Sequence, residues 1–285
     1  MSKYELPFDI DMAWCPGCGN FQIRKSILSA LDELGQVHQT DVVFVSGIGQ
    51  AAKMPQYLNV NYFNGLHGRA LPVALAVKAA NPSLTVIAEG GDGDMYGEGG
   101  NHFLHNIRRN IDITHIVHNN MVYGLTKGQA SPTSQPGMKT GVQVNGVVNE
   151  PFNPLAVAIS LGASFVARAY SGEIEQTKDL IKMAVNHKGY AMIDVLHPCV
   201  SFNKVNTFKW YEENTYKIET HDETNRSKAW ELAIKPGKLG LGVYYKNEGG
   251  KTFTDSLSCY QKDRSPLYKR KRNQKKLAEL IHSWI

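Results

Sequence analysis

Long apolar runs are missing from these 285 residues: no stretch of about eighteen uncharged apolar residues occurs, so no membrane-spanning helix is expected. Cysteine is scarce. Four in a chain of this size are too few for a disulfide framework. The start, Met1-Ser2-Lys3-Tyr4-Glu5-Leu6-Pro7, reaches Asp9 and Asp11 without an apolar stretch. No secretory leader is therefore expected, and the cytoplasm is the expected compartment. Internal repeats are absent too. Charge is only mildly unbalanced, at +5, but six cations gather near the end: Lys269-Arg270-Lys271-Arg272, Lys275 and Lys276. No aromatic residue is interleaved with them, so nucleic acid is not an expected partner. The run reads either as the solvated face of a terminal helix or as a docking surface for an acidic protein.

The composition, 42% hydrophobic and 20% charged, suits one large domain or a domain with an extension. Ile23, Ile27, Leu31 and Leu34 share one face of a helix predicted over 21–34, stopped by Gly35. Helices are likewise predicted over 71–80, 102–109, 155–161 and 174–185, and strands over 42–45, 84–88, 113–117, 164–167 and 191–196. This alternation predicts an α/β fold, a doubly wound parallel sheet with helices on both faces. Four loops follow predicted strands: Gly47 to Gln50, Gly90 to Asp94, Asn119 to Thr126, and His197 to Cys199. In such sheets ligands sit beyond the carboxyl ends of the strands, so these loops should frame the site. The stretch 126–153 has no clear period and reads as a functional or disordered insertion. We expect the α/β domain to span 1–205 and an irregular extension to span 206–285, closing in a basic helix over 274–284.

The strongest chemical signal is Gly91-Asp92-Gly93 with Asn120, which follows Asp92 by 28 positions. A hard cation such as Mg²⁺ takes oxygen ligands from one or two protein groups plus substrate phosphates. Asp92 offers a carboxylate at one strand end and Asn120 an amide oxygen at its neighbour. The glycines let backbone approach a diphosphate. A Gly-Asp-Gly turn alone is weak evidence, because ordinary strand-to-helix turns contain it by chance. The spacing and the strand contexts make the argument.

Together these residues resemble the thiamine diphosphate–Mg²⁺ motif of thiamine-dependent enzymes. Further words narrow the resemblance: Trp14-Cys15-Pro16-Gly17-Cys18-Gly19, Ser46-Gly47-Ile48-Gly49, Leu66-His67-Gly68-Arg69-Ala70-Leu71-Pro72, Gly90-Gly91-Asp92-Gly93-Asp94, Arg108-Arg109-Asn110-Ile111-Asp112, and Tyr123-Gly124-Leu125-Thr126-Lys127-Gly128-Gln129. In order, they resemble the β subunit of two-subunit 2-oxoacid:ferredoxin oxidoreductases over about residues 10–215. The resemblance implies that Asp92 and Asn120 bind Mg²⁺ through side chains and Val122 through its carbonyl. It implies that Gly91, Gly93, Asp94, Gly124, Leu125 and Thr126 line the diphosphate, with Gly49, Gln50 and His67 also against the cofactor. A purely structural role is the rival for His67. Lys127 matches a position associated with 2-oxoacid recognition, and a solvated loop lysine is its rival.

An iron–sulfur cluster is implied as well, on Cys15, Cys18, Cys199 and a fourth cysteine after Ser-Gly-Ile-Gly. Here that position is Gln50. Clusters normally take four thiolates. Three readings stay open: a four-iron cluster with a non-cysteine fourth ligand (Gln50, His197, water or another exogenous group), a three-iron form, or a lost cluster that leaves a zinc or redox site. Cys259 reads as an ordinary cysteine.

The chain has one diphosphate–metal word set and no second domain to act on the cofactor's aminopyrimidine. The resemblance therefore implies an α partner subunit, in αβ or (αβ)₂ form, and coenzyme A as acyl acceptor. Ferredoxin would be the electron acceptor, since no Cys-x₂-Cys-x₂-Cys-x₃-Cys run is present. Its wording leans to 2-oxoglutarate over pyruvate. The alternatives are a non-oxidative thiamine-dependent decarboxylase or lyase with a degenerate cluster, and a non-catalytic assembly subunit.

Overall fold

The computed structural model describes residues 2–35 and 38–285; Met1, at the head of the N-terminal segment read above, and Gln36 and Val37 lie outside it. The elements run α1 (Asn20–Leu34), β1 (Val42–Ser46), β2 (Asn61–Asn64), α2 (Ala70–Ala80), β3 (Thr85–Gly91), α3 (Gly100–Arg109), β4 (Ile113–Asn119), β5 (Val122–Tyr123), β6 (Gln129–Ala130) and α4 (Pro154–Ser160). They continue with β7 (Phe165–Tyr170), α5 (Ile174–Asn186), β8 (Tyr190–Leu196), α6 (Phe208–Asn214), β9 (Thr215–Lys217), α7 (Arg226–Ile234), β10 (Leu239–Lys246), α8 (Phe253–Ser256) and α9 (Gln274–His282).

Eight strands form one sheet in the order β2-β1-β3-β4-β8-β7-β10-β9. Every pair is parallel except β10 against β7, as the doubly wound reading requires of the central strands. Side chains alternate across the strands, so each strand feeds two cores. Phe44, Ile87, Ile116 and Ile193 pack with Ile23, Ile27 and Leu31 of α1 and Ile181 of α5. Val45, Val86, Val117 and Met192 pack on the opposite face with Leu71, Phe103, Ile107, Leu155 and Ile159. Local chemistry fixes the helix ends: the Asn153 side chain accepts from Ala156 N with Pro154 opening α4, and Gly35 ends α1 at φ 57°.

The tail is more regular than its pattern suggests. β10 joins the main sheet through β7, with a bulge between Val243 and Tyr245, and β9 extends it further. Gly240 and Gly242 interrupt the apolar alternation that would have marked β10, and β9 spans three residues. The unperiodic stretch 126–153 contributes β6, paired antiparallel with β5. Its continuation folds back onto the strand ends.

Candidate thiamine diphosphate and cluster site

Because β1, β3, β4 and β8 are neighbours in the sheet, the loops after them converge on one edge. β3 passes directly into a single π-helical turn, Gly93–Glu98, before α3. Such turns interrupt the regular hydrogen-bond ladder and recur at functional sites. Gly93 has to be a glycine here, since a Cβ would lie 2.1 Å from the Tyr123 ring.

The loops after β1, β2, β3 and β4 frame an open cleft, about 530 Å³ with its mouth included, lined by Gly49, Gln50, His67, Gly91, Asp92, Gly93, Asp94, Asn120, Val122, Gly124, Leu125 and Thr126. All the residues expected to touch the cofactor therefore face one space. Ile48, Ala51, His118 and Tyr123 line it too, and the sequence reading did not single them out.

Asp92 is 2% exposed. Its Oδ2 accepts from Ser131 Oγ at 2.5 Å and from Thr133 Oγ1 at 2.6 Å. Burial pushes its pKa up to about 6, although both hydroxyls and the Gly93 N–H pull the other way. A buried carboxylate with no cation beside it among the described residues, opening on a cleft, suits a divalent metal. Asn120 Oδ1 accepts from Val122 N at 3.0 Å, which orients the amide and keeps a second lone pair.

Behind Asp92 runs a buried polar chain. Thr133 Oγ1 is 2.8 Å from Asn119 Oδ1, and Asn119 Nδ2 donates to Asp194 Oδ1 at 3.0 Å. Asp194 also receives the Tyr96 hydroxyl at 3.0 Å and the Arg168 Nε at 3.2 Å. Sequence reasoning missed Ser131 and Thr133, and placed Asn119 at the start of a site loop without giving it a role. The available signal was Arg168 and Asp194 inside otherwise apolar strands.

Asp94 faces the cleft, but its Oδ1 is engaged by His67 Nδ1 at 2.6 Å, Gly68 N at 2.6 Å and Ile48 N at 3.3 Å. It ties three loops together. His67 Nε2 reaches Glu98 Oε2 at 3.2 Å, so both its ring nitrogens meet carboxylates. His67 thus braces the loops while also lining the cleft where a cofactor would sit. Lys127 does not line the cleft: it is exposed on the rim, in a turn that holds it at φ 81°.

A second pocket abuts the cleft and shares Gln50, Asn120 and Gly124 with it. Cys15, Cys18 and Cys199 line it. Ser201 Oγ donates to Cys15 Sγ at 3.0 Å, and burial pushes the Cys18 thiol up to about 11. Among the described residues no three His, Cys, Asp or Glu side chains close on a single ion. Three cysteines spread around one pocket fit a multi-iron cluster better than one zinc ion. His197 is buried, with its ring 5.9 Å from that of His118, and is not part of the pocket wall.

The family described as thiamine pyrophosphate enzyme, C-terminal TPP binding domain, matches residues 43–195. A second family, the C-terminal part of the pyruvate ferredoxin oxidoreductase beta subunit, matches 199–262. The chain is 43% identical over 270 residues to the 2-oxoacid:ferredoxin oxidoreductase subunit beta of Saccharolobus solfataricus, covering 90% of this chain and 87% of that one. It is 34% identical over 250 residues to the 2-oxoglutarate synthase subunit KorB of Methanocaldococcus jannaschii, covering 85% and 90%. A solved 2-oxoglutarate:ferredoxin oxidoreductase from Magnetococcus marinus, with 2-oxoglutarate, coenzyme A and succinyl-CoA bound, superposes with a TM-score of 0.90. Sequence identity to it is 36%, over 97% of this chain and 94% of that one.

Proposed function

Because this chain belongs to the β subunits of 2-oxoacid:ferredoxin oxidoreductases, a thiamine-dependent enzyme family, we propose that it carries the diphosphate, metal and cluster half of such an active site. Asp92, Asn120 and the Val122 carbonyl would hold Mg²⁺, and the Gly91–Gly93 and Gly124–Thr126 backbones would cradle the diphosphate. Cys15, Cys18 and Cys199 would hold the iron–sulfur cluster. Thiamine diphosphate supplies, when bound, the carbanion stabilisation that lets a 2-oxoacid lose CO₂, and the cluster a one-electron outlet.

The chain's own residues do the positioning. Ser131 and Thr133 orient the Asp92 carboxylate, and Asp94 with His67 pins the loops of the cleft wall. Lys127, on the open rim, would meet a substrate carboxylate once the α partner closes over the cleft. The substrate we favour is 2-oxoglutarate over pyruvate, supported by the names of several relatives and of the solved neighbour. Coenzyme A would accept the acyl group and ferredoxin the electrons, in an αβ or (αβ)₂ assembly.

One observation carries this reading: buried Asp92 and half-buried Asn120 open on a cleft that shares Gln50, Asn120 and Gly124 with the three-cysteine pocket. The test is anaerobic assay of the αβ complex for CoA-dependent reduction of ferredoxin by 2-oxoglutarate and by pyruvate. Reduction, faster with 2-oxoglutarate, is the expected result. CO₂ and aldehyde release without ferredoxin reduction would point instead to the non-oxidative enzyme.

A further inference from the structure

The cysteine pocket presents three thiols and a limited set of oxygen donors. Asn20 Oδ1 is 2.8 Å from His118 Nδ1, Asn120 Oδ1 accepts from Val122 N, and Ser201 Oγ is committed to Cys15 Sγ. Gln50 differs from them. Its Oε1 is buried without a hydrogen-bond partner among the described residues, and Gln50 lines the same pocket. Its backbone is held in place, because Trp14 Nε1, beside Cys15, donates to the Gln50 carbonyl at 2.7 Å. An unpaired buried amide oxygen is costly, and such a group in a native site calls for a partner.

We propose that the cluster in this chain is site-differentiated: Cys15, Cys18 and Cys199 hold three irons, and the fourth, labile iron faces the Gln50 carboxamide oxygen. The inference rests on the cluster reading above. A neutral amide oxygen is a harder and weaker partner for iron than a thiolate, so this corner is the one that opens. When a one-electron oxidant takes an electron from a [4Fe–4S]²⁺ cluster, Fe²⁺ leaves and a [3Fe–4S]⁺ cluster remains on the three thiolates. Fe²⁺ and one electron from a reductant restore it. No bond to cysteine breaks in either direction.

Placement gives this lability a consequence. Gln50 lines the thiamine cleft as well as the cysteine pocket, so the labile corner faces the wall through which electrons would leave the cofactor. Cluster potential depends on cluster type and charge. Loss of the corner iron therefore alters the electron exit, and the iron and oxidant levels around the enzyme set how much of it is open.

The test uses the αβ complex purified anaerobically, as wild type, Gln50→Cys and Gln50→Ala. Iron and acid-labile sulfide are measured first. EPR then follows stoichiometric ferricyanide and, afterwards, Fe²⁺ with dithionite. Wild type should develop the near-isotropic signal of an oxidised three-iron cluster and lose it on reconstitution. Gln50→Cys should convert at least about tenfold more slowly, and Gln50→Ala faster than wild type. A wild-type cluster as resistant as that of Gln50→Cys overturns the proposal, as does a Gln50→Ala complex that behaves like wild type. If all three complexes lack iron and sulfide, the cluster reading itself falls.

Discussion

Burial raises the Asp92 pKa to about 6, from an ordinary 3.8, against the pull of Ser131 Oγ, Thr133 Oγ1 and the Gly93 N–H. Without metal, the folded protein therefore keeps a proton that the unfolded chain gives up at lower pH. The sign follows: this group favours the metal-free fold below its unfolded pKa and loses that contribution as pH rises through about 6. If Asp92 holds Mg²⁺ as proposed, metal binding runs the other way, because Mg²⁺ needs the ionised carboxylate. Thiamine diphosphate–Mg²⁺ affinity should fall about tenfold per unit as pH drops below that value, read by fluorescence titration at fixed Mg²⁺. Thr133→Val keeps the shape of the side chain and removes one of the two hydroxyls that orient Asp92. It should weaken affinity by about 10- to 100-fold and move the pH dependence upward. Unchanged affinity would mean that the hydroxyl only fills space. Asp92 and Asn120 were legible because unusual side chains at strand ends stand out against an apolar rhythm. Ser131 and Thr133 were not, because they lie in a stretch with no period, and their role exists only once that stretch folds back over β3.

Among the elements, the parallel core from β1 to β8 was legible because each strand is an apolar run buried on both faces. β2 and β10 were not: β2 is a fully exposed edge strand, and glycines interrupt β10. β10 nonetheless bears on the site, since Tyr244 receives the Arg168 Nη1 at 3.4 Å and Arg168 anchors Asp194. The connection between the π-turn and α2 is tighter still. Gly68 sits at φ 72°, and a Cβ there would come within 2.4 Å of the Glu98 backbone. Its N–H donates to Asp94. Gly68→Ala should push the 66–68 loop off Asp94 while leaving the sheet, whose cores it does not touch. The expected result is a near-native circular dichroism spectrum with cofactor affinity lowered by at least tenfold, about 1.4 kcal/mol or more. A variant with native affinity would show that the three loops can separate without disturbing the cleft.

Seen as a whole, the chain carries its surplus charge at one end. Arg270 is not part of any exposed patch: it donates to the Cys259, Asp263 and Ser265 carbonyls and stacks over Tyr260 at 4.9 Å. It fastens the tail. Lys269 is exposed over the Tyr268 ring, and Lys271, Arg272, Lys275 and Lys276 are exposed as well, the last two within α9, where Leu277, Leu280 and Ile281 are also uncovered. No helix among the described residues is long and apolar enough to cross a membrane. Four cations within six residues attract an acidic partner over about one Debye length, roughly 10 Å at 0.1 M salt. If ferredoxin docks there, reversing all four to Glu should raise its KM at least about tenfold at low salt, since like charge then meets an acidic surface. The turnover number should hold, because the residues lie outside the cleft. Reduction of a small viologen dye, which needs no docking surface, should be unchanged. High salt should bring the variant and the wild type together. An unaltered ferredoxin KM at low salt would return the run to a solvated helix face. Loss of the αβ complex would assign the surface to the α partner, with the uncovered leucines as its apolar centre.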